Sequence, residues 1–166
     1  MKSLYESILD DEDTLISNSI KDSQDPLNVL VSICKDKDNE DKILKKFDEG
    51  LFDDFLRDVI SIDMNDIKPL GVTWRAIDYG NLVSISLITK QSSSIFTIRY
   101  FRKTNKISIE IFKQGRASGS VFNILLITNY FNKYRSTLRK LGKLGFKKYT
   151  DGFSSIRDEV TYEKNL

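Results

Sequence analysis

The chain has 166 residues, 40% hydrophobic and 30% charged, which is the length of one ordinary domain with enough apolar content to bury a core. It contains one cysteine and no histidine, so Ser-His-Asp and Cys-His catalysis, histidine-containing or cysteine-only zinc sites and an internal disulfide are all excluded. The formal charge of +2 hides an asymmetry: residues 1–66 hold 18 acidic against 8 basic residues, a net of −10, and residues 67–166 hold 6 acidic against 18 basic, a net of +12. Within 67–150, Asp78 and Glu110 stand alone among 16 cations. Such a split speaks to partners rather than to fold. No apolar run reaches the length of a transmembrane helix, so no membrane contact is expected. The N-terminus turns acidic by Asp10 and does not read as a secretory signal.

Residues 1–25 read as an acidic leader or tether, with capping-box spacing from Ser3 to Glu6 and a short apolar stripe of Leu4, Ile8 and Leu9. Residues 26–166 read as a single α+β domain. Pro26 suits the first turn of a helix over 26–34 with Asp25 as N-cap. Leu27, Leu30, Val31 and Cys34 then share one face, which makes Cys34 a buried small hydrophobe. The following Asp36-x-Asp38-x-Glu40-Asp41 imitates the start of a calcium loop. It lacks Gly at the sixth position and Glu at the twelfth, so a solvated loop is expected and no metal. Helices over 41–49 and 51–61 flank Gly50, a residue suited to a C-cap.

The character changes at Pro69-Leu70-Gly71. Four stretches rich in β-branched and aromatic residues, 72–78, 82–90, 94–103 and 106–113, are separated by short turns, the signal of a four-stranded antiparallel meander. Val83/Ile85/Leu87, Phe96/Ile98/Tyr100 and Ile107/Ile109/Ile111 should face the core. Thr97, Arg99, Phe101, Ser108 and Glu110 should lie on the opposite face. Ser120 opens the clearest helical pattern, 120–142, with Ile124, Ile127, Phe131, Tyr134, Leu138 and Leu141 on one side. One long C-terminal helix packed on the sheet is therefore expected. Short strands around 146–150 and 158–163 can follow it.

Basic residues with interleaved aromatics are the strongest functional signal. Arg99, Arg102, Lys103 and Lys106 lie on or beside the third and fourth strands. Arg135, Arg139 and Lys143 form an i, i+4, i+8 stripe, widened by Lys133 and Lys140, and Lys147 and Lys148 follow. Cations in such an array fix phosphates, and exposed aromatics stack bases. These eleven residues are the candidate contacts to nucleic acid or to an acidic partner, unless the acidic helices lie against them and neutralise them within the chain. A weaker anion-binding candidate is the glycine-bearing loop before the long helix, with Gly115, Arg116, Gly119 and Ser120 at a helix N-terminus.

Two resemblances bear on function. The leader, Lys2-Ser3-Leu4-Tyr5-Glu6-Ser7-Ile8-Leu9-Asp10-Asp11-Glu12-Asp13, lies within a segment of 17 residues that resembles the N-terminal segment of small proteins from crAss-like phages and Bacteroidales mobile elements. That implies a phage or mobile-element protein, located in the host cytoplasm or within a virion, and says nothing about residues 26–166. The meander followed by a glycine-bearing loop and helix resembles the acetyl-coenzyme-A site of GNAT-type acyltransferases. Arg116-Ala117-Ser118-Gly119-Ser120-Val121 matches the Arg and the first Gly of their Q/R-x-x-G-x-G/A loop and departs at the last position. The reading taken forward is a small non-enzymatic interaction protein with a protein partner and no cofactor. Nucleic-acid binding is the first alternative and a GNAT-like transferase the second.

Overall fold

The computed structural model describes residues 22–90, 94–112, 136–149 and 159–166. The expected α+β architecture is present, with an N-terminal helical region and an antiparallel sheet, but the sheet has six strands rather than four. Strands β1 (Thr73–Asp78), β2 (Leu82–Ile88), β3 (Ser94–Phe101) and β4 (Lys106–Phe112) form the meander. The two tail segments also join the sheet, as β5 (Lys147–Tyr149) and β6 (Glu159–Asn165). The order is β1-β2-β3-β4-β6-β5, so β6 inserts between β4 and β5 and pairs antiparallel with both. The sheet edges are β1 and β5.

Alternation places side chains as the sequence predicts. Trp74, Ile85, Leu87, Phe96, Ile98, Ile107, Ile109 and Ile111 are buried in one core. Registers such as Leu87↔Phe96↔Ile111 and Ile85↔Ile98↔Ile109 stack them in rows across the sheet. A shift between Leu87 and Ile88 adds Ile95 to this set, 3% exposed. On the opposite rows Ser86 and Thr97 bond through their hydroxyls at 3.0 Å, and these two and Ser108 are buried as well.

The helical region begins with α1, residues 22–34. Residues 22–25 are already helical and Ser23 is 4% exposed, so Pro26 does not open the helix and Asp25 is not its N-cap. The inward stripe of Leu27, Leu30 and Cys34 is as expected, joined by Ile33. Helix α2 (Glu40–Asp48) ends in a Schellman-type cap: Gly50, at φ +98°, donates to Phe47 O and Leu51 donates to Lys46 O. Glycine is suited there because other residues meet a Cβ clash at that φ. The second expected helix, 51–61, divides into α3 (Asp53–Phe55) and a π-helical run over Leu56–Ile60, closed by Ser61 in the left-handed region. A short α4 (Met64–Ile67), capped by the Asp63 side chain, leads into β1 through a 3-10 turn, Lys68–Leu70. Phe47 stacks on Phe52 at 4.9 Å and meets Trp74 edge-on at 4.7 Å, which fixes the helices to the β1 side of the sheet.

Of the helix expected over 120–142, the structure describes α5, residues 136–143; residues 120–135 lie outside the described set. From α5 and the turn after it, Leu141, Leu144 and Phe146 enter the same core. No helix among the described residues is long and apolar enough to cross a membrane.

Candidate interaction surface and the Arg102 clamp

Three turns and a helix end meet at one end of the sheet. The β1–β2 turn, residues 79–81, and the β3–β4 turn, residues 102–105, are joined by the Arg102 N–H donating to Asn81 O at 2.8 Å. The segment after α1 lies against them through the Arg102 side chain. Its guanidinium has five N–H donors in a fixed fork, and all five are used. Nε donates to Cys34 O (2.9 Å) and Nη1 to Asp78 Oδ1 and Gly80 O (both 2.7 Å). Nη2 donates to Asp78 Oδ2 (2.7 Å) and Asp36 O (3.1 Å). The bidentate pair with Asp78 is largely buried, each side chain 12% exposed. Gly80, at φ +86°, turns its carbonyl toward Arg102 and donates its own N–H to Asp78 Oδ1. Glu40, at the start of α2, accepts the Asp78 N–H at 2.8 Å. One arginine thus ties α1, the 35–39 loop and two hairpin turns together, and it sits at the carbonyl end of α1, where a cation is favoured.

The charges respond to this arrangement. Hydrogen bonds from Arg102, assisted by the Gly80 and Asp38 backbones and outweighing desolvation, hold the Asp78 carboxyl well below the ordinary carboxylate range. Burial pushes the Cys34 thiol up to about 12, in the direction opposite to an activated nucleophile. The Asp36-x-Asp38 stretch serves the clamp through its backbone, the Asp36 carbonyl on Arg102 and the Asp38 N–H toward Asp78.

The other candidate cations divide by location. Arg99 pairs with Glu110 on the neighbouring strand, Nη1 to Oε1 at 2.5 Å. Lys106 pairs with Glu163 of β6 at 3.3 Å and lies 4.7 Å from the centre of the Phe101 ring. Lys103, in the β3–β4 turn, is exposed. Lys140 donates to the Asp58 carbonyl at 2.6 Å and so caps the π-helical run. Arg139 and Lys143 on α5, and Lys147 and Lys148 on the edge strand β5, are exposed. Lysines on a short edge strand also discourage pairing with another sheet. Lys133, Arg135, Gly115, Arg116, Gly119 and Ser120 lie outside the described residues.

Cations of residues 67–166 reach the acidic helices through the ion pair Lys68–Asp53 at 3.6 Å and the Lys140 bond to the Asp58 carbonyl. The acids that do pair with the sheet cations, Asp78, Glu110 and Glu163, come from the basic part of the chain itself. Sequence reasoning counted Asp78 and Glu110 as exceptions without giving them work, yet an acid isolated among cations was the available clue. No family model, curated protein or solved structure matches the chain.

Proposed function

We propose that this is a small non-enzymatic interaction protein of phage or mobile-element origin, associated with a virion, that docks on a protein partner through exposed charge at the α5–β5 edge. The reading is supported by the exposure of four cations, Arg139, Lys143, Lys147 and Lys148, within one short stretch. An acidic protein surface complements that stretch. Nucleic acid is the second reading, because the same four cations suit a phosphate backbone.

One variant separates the two. Arg139, Lys143 and Lys147 are replaced together by Glu, and wild type and variant are tested for co-sedimentation with phage particles and for retention on DNA across a salt series. Loss of particle association, with no DNA retention by the wild type at ~0.15 M salt, supports the protein partner. Salt-sensitive DNA retention that the variant loses transfers the function to nucleic acid, since each neutralised phosphate releases counterion. A variant that matches wild type in both assays overturns both readings.

A further inference from the structure

At the end of the sheet where the Arg102 clamp lies, one row of side chains crosses the face turned away from the helices. Tyr79 donates its N–H to Leu82 O at 2.9 Å, Leu82 stands opposite Phe101, Phe101 opposite Lys106, and Lys106 opposite Asn165. Residues directly opposite on antiparallel strands share a face, and the Lys106 ammonium lies 4.7 Å from the centre of the Phe101 ring. The neighbouring Val83 and Tyr100 point the other way, into the core. The row is sorted by chemistry. Tyr79, Leu82 and Phe101 form an apolar half over β1 to β3, and a cationic half starts at Lys106. Tyr79 is 62% exposed, and Leu82 and Phe101 are half-buried. Lys106 is paired with Glu163, but Lys103 in the adjoining turn is exposed and makes no ion pair among the described residues. That half therefore keeps a surplus of positive charge.

The leader carries the complementary pattern in the same order. Going back from α1, the eight residues 14–21 are followed by Asp10-Asp11-Glu12-Asp13 and then by Leu9, Ile8, Tyr5 and Leu4. The start of α1 fixes where that stretch sets out. Lys164 Nζ donates to Gln24 Oε1 at 3.4 Å, and Lys164 precedes Asn165 on β6, so the chain enters α1 beside the cationic end of the row. Eight extended residues reach roughly 26–29 Å. From β6 to β1 the row crosses four strand spacings, about 19 Å. We infer that residues 4–13 dock on this row of their own chain. The acidic run meets Lys106 and Lys103, and Leu9, Ile8, Tyr5 and Leu4 follow over Phe101, Leu82 and Tyr79. A tether this short gives a roughly millimolar effective concentration, so a contact of modest strength is enough to hold the segment. No residue of the α5–β5 edge takes part, so association with particles through that edge is read by a separate measurement.

The test uses the full chain with Ser7→Cys carrying a nitroxide label, followed by nitrogen-15 NMR. Cys34 is buried, with its thiol pushed up to about 12, and does not compete for the label. The expected result is loss of the Tyr79, Leu82 and Phe101 backbone amide signals, which return when the nitroxide is reduced, while those of Met64–Ile67 at the far end of β1 persist. Replacing Asp10, Asp11 and Asp13 by Asn and Glu12 by Gln should restore the lost signals, as should ~0.5 M salt. Tyr79→Ser, at an exposed turn position, should restore those of Leu82 and Phe101. Three results overturn the docking: signals of the row that survive in the labelled chain, a loss spread evenly over the surface, or a loss that the neutralised variant leaves unchanged. Loss in an unlabelled nitrogen-15 chain mixed with spin-labelled nitrogen-14 chain would place the segment on a second copy and overturn its docking within one chain.

Discussion

The cations of the β3–β4 hairpin and those of the α5–β5 edge look alike in sequence and are used differently. In the hairpin, Arg99 and Lys106 have an acid on a neighbouring strand, and Arg102 has Asp78 across two hairpin turns. At the edge, Arg139, Lys143, Lys147 and Lys148 are exposed. Arg99 and Lys106 lie on or at the start of strands that have a paired strand on either side, whereas Arg139 and Lys143 lie on α5 and Lys147 and Lys148 on β5, at the end of the strand order. A basic run in a sequence therefore mixes cations whose acids lie within the sheet with cations whose side chains reach solvent, and the element that carries each one sorts them.

The largest test of this contrast is Arg102→Ala. It strands the Asp78 carboxylate in a largely buried position and frees the carbonyls of Cys34, Asp36 and Gly80 together. Breaking a buried pair from one side costs about 3–5 kcal/mol, so the urea midpoint should fall steeply. A loss below about 1 kcal/mol would make Arg102 an ordinary surface cation.

Asp78→Asn tests the same clamp from the acid side, through pH. Because Arg102 lowers the Asp78 carboxyl in the folded chain, the unfolded chain takes up that proton more readily. The stabilisation is complete above the unfolded value, about pH 4, and is lost as pH falls through the lower folded value. Asn does not titrate. The variant should be roughly 2 kcal/mol less stable at neutral pH, as expected for lost charge-assisted hydrogen bonds, and the gap should close only below about pH 4. A gap that stays constant down to acid pH would show that the charge of Asp78 contributes nothing.

The meander was legible because its signals are local. Ile107/Ile109/Ile111 alternate strictly, Gly50 marks a helix end, and turn residues such as Tyr79-Gly80-Asn81 separate the strands. The sheet order was not legible. Lys147–Tyr149 and Glu159–Asn165 could be recognised as strands, but nothing local says that the second enters between β4 and the first. Arg102 was recognised only as a basic residue, since its partners are Asp78 on another hairpin and the carbonyls at the end of α1. Pro26 misled about the start of α1 because proline is a strong local signal, and the burial of Ser23 one turn earlier is a tertiary fact.

A smaller effect is expected at Arg99 and Glu110. The pair spans two central strands but is partly solvated, with side chains 29% and 21% exposed. A double-mutant cycle with Arg99→Ala and Glu110→Ala should give a coupling of about 0.2–1 kcal/mol. Coupling near zero would leave that part of the sheet face to solvation alone.

The smallest effect is expected at Lys103, and it makes the sharpest comparison because Lys103 is the immediate neighbour of Arg102. Both are cations in one turn, and composition does not tell them apart. Arg102 points into five oxygen acceptors, whereas Lys103 is exposed and makes no ion pair among the described residues. Lys103→Glu should therefore shift stability by no more than about 0.5 kcal/mol, measured by the same urea midpoint. Reversing the charge is a harsher change than removing it, so a near-neutral result would be informative. Asp78 and Asp36 are already engaged with Arg102, through the carboxylate of the first and the carbonyl of the second. A Glu at 103 would add a solvated charge near them without taking a partner away. A loss above about 1 kcal/mol would mean that Lys103 belongs to the clamp and that the turn carries two structural cations rather than one.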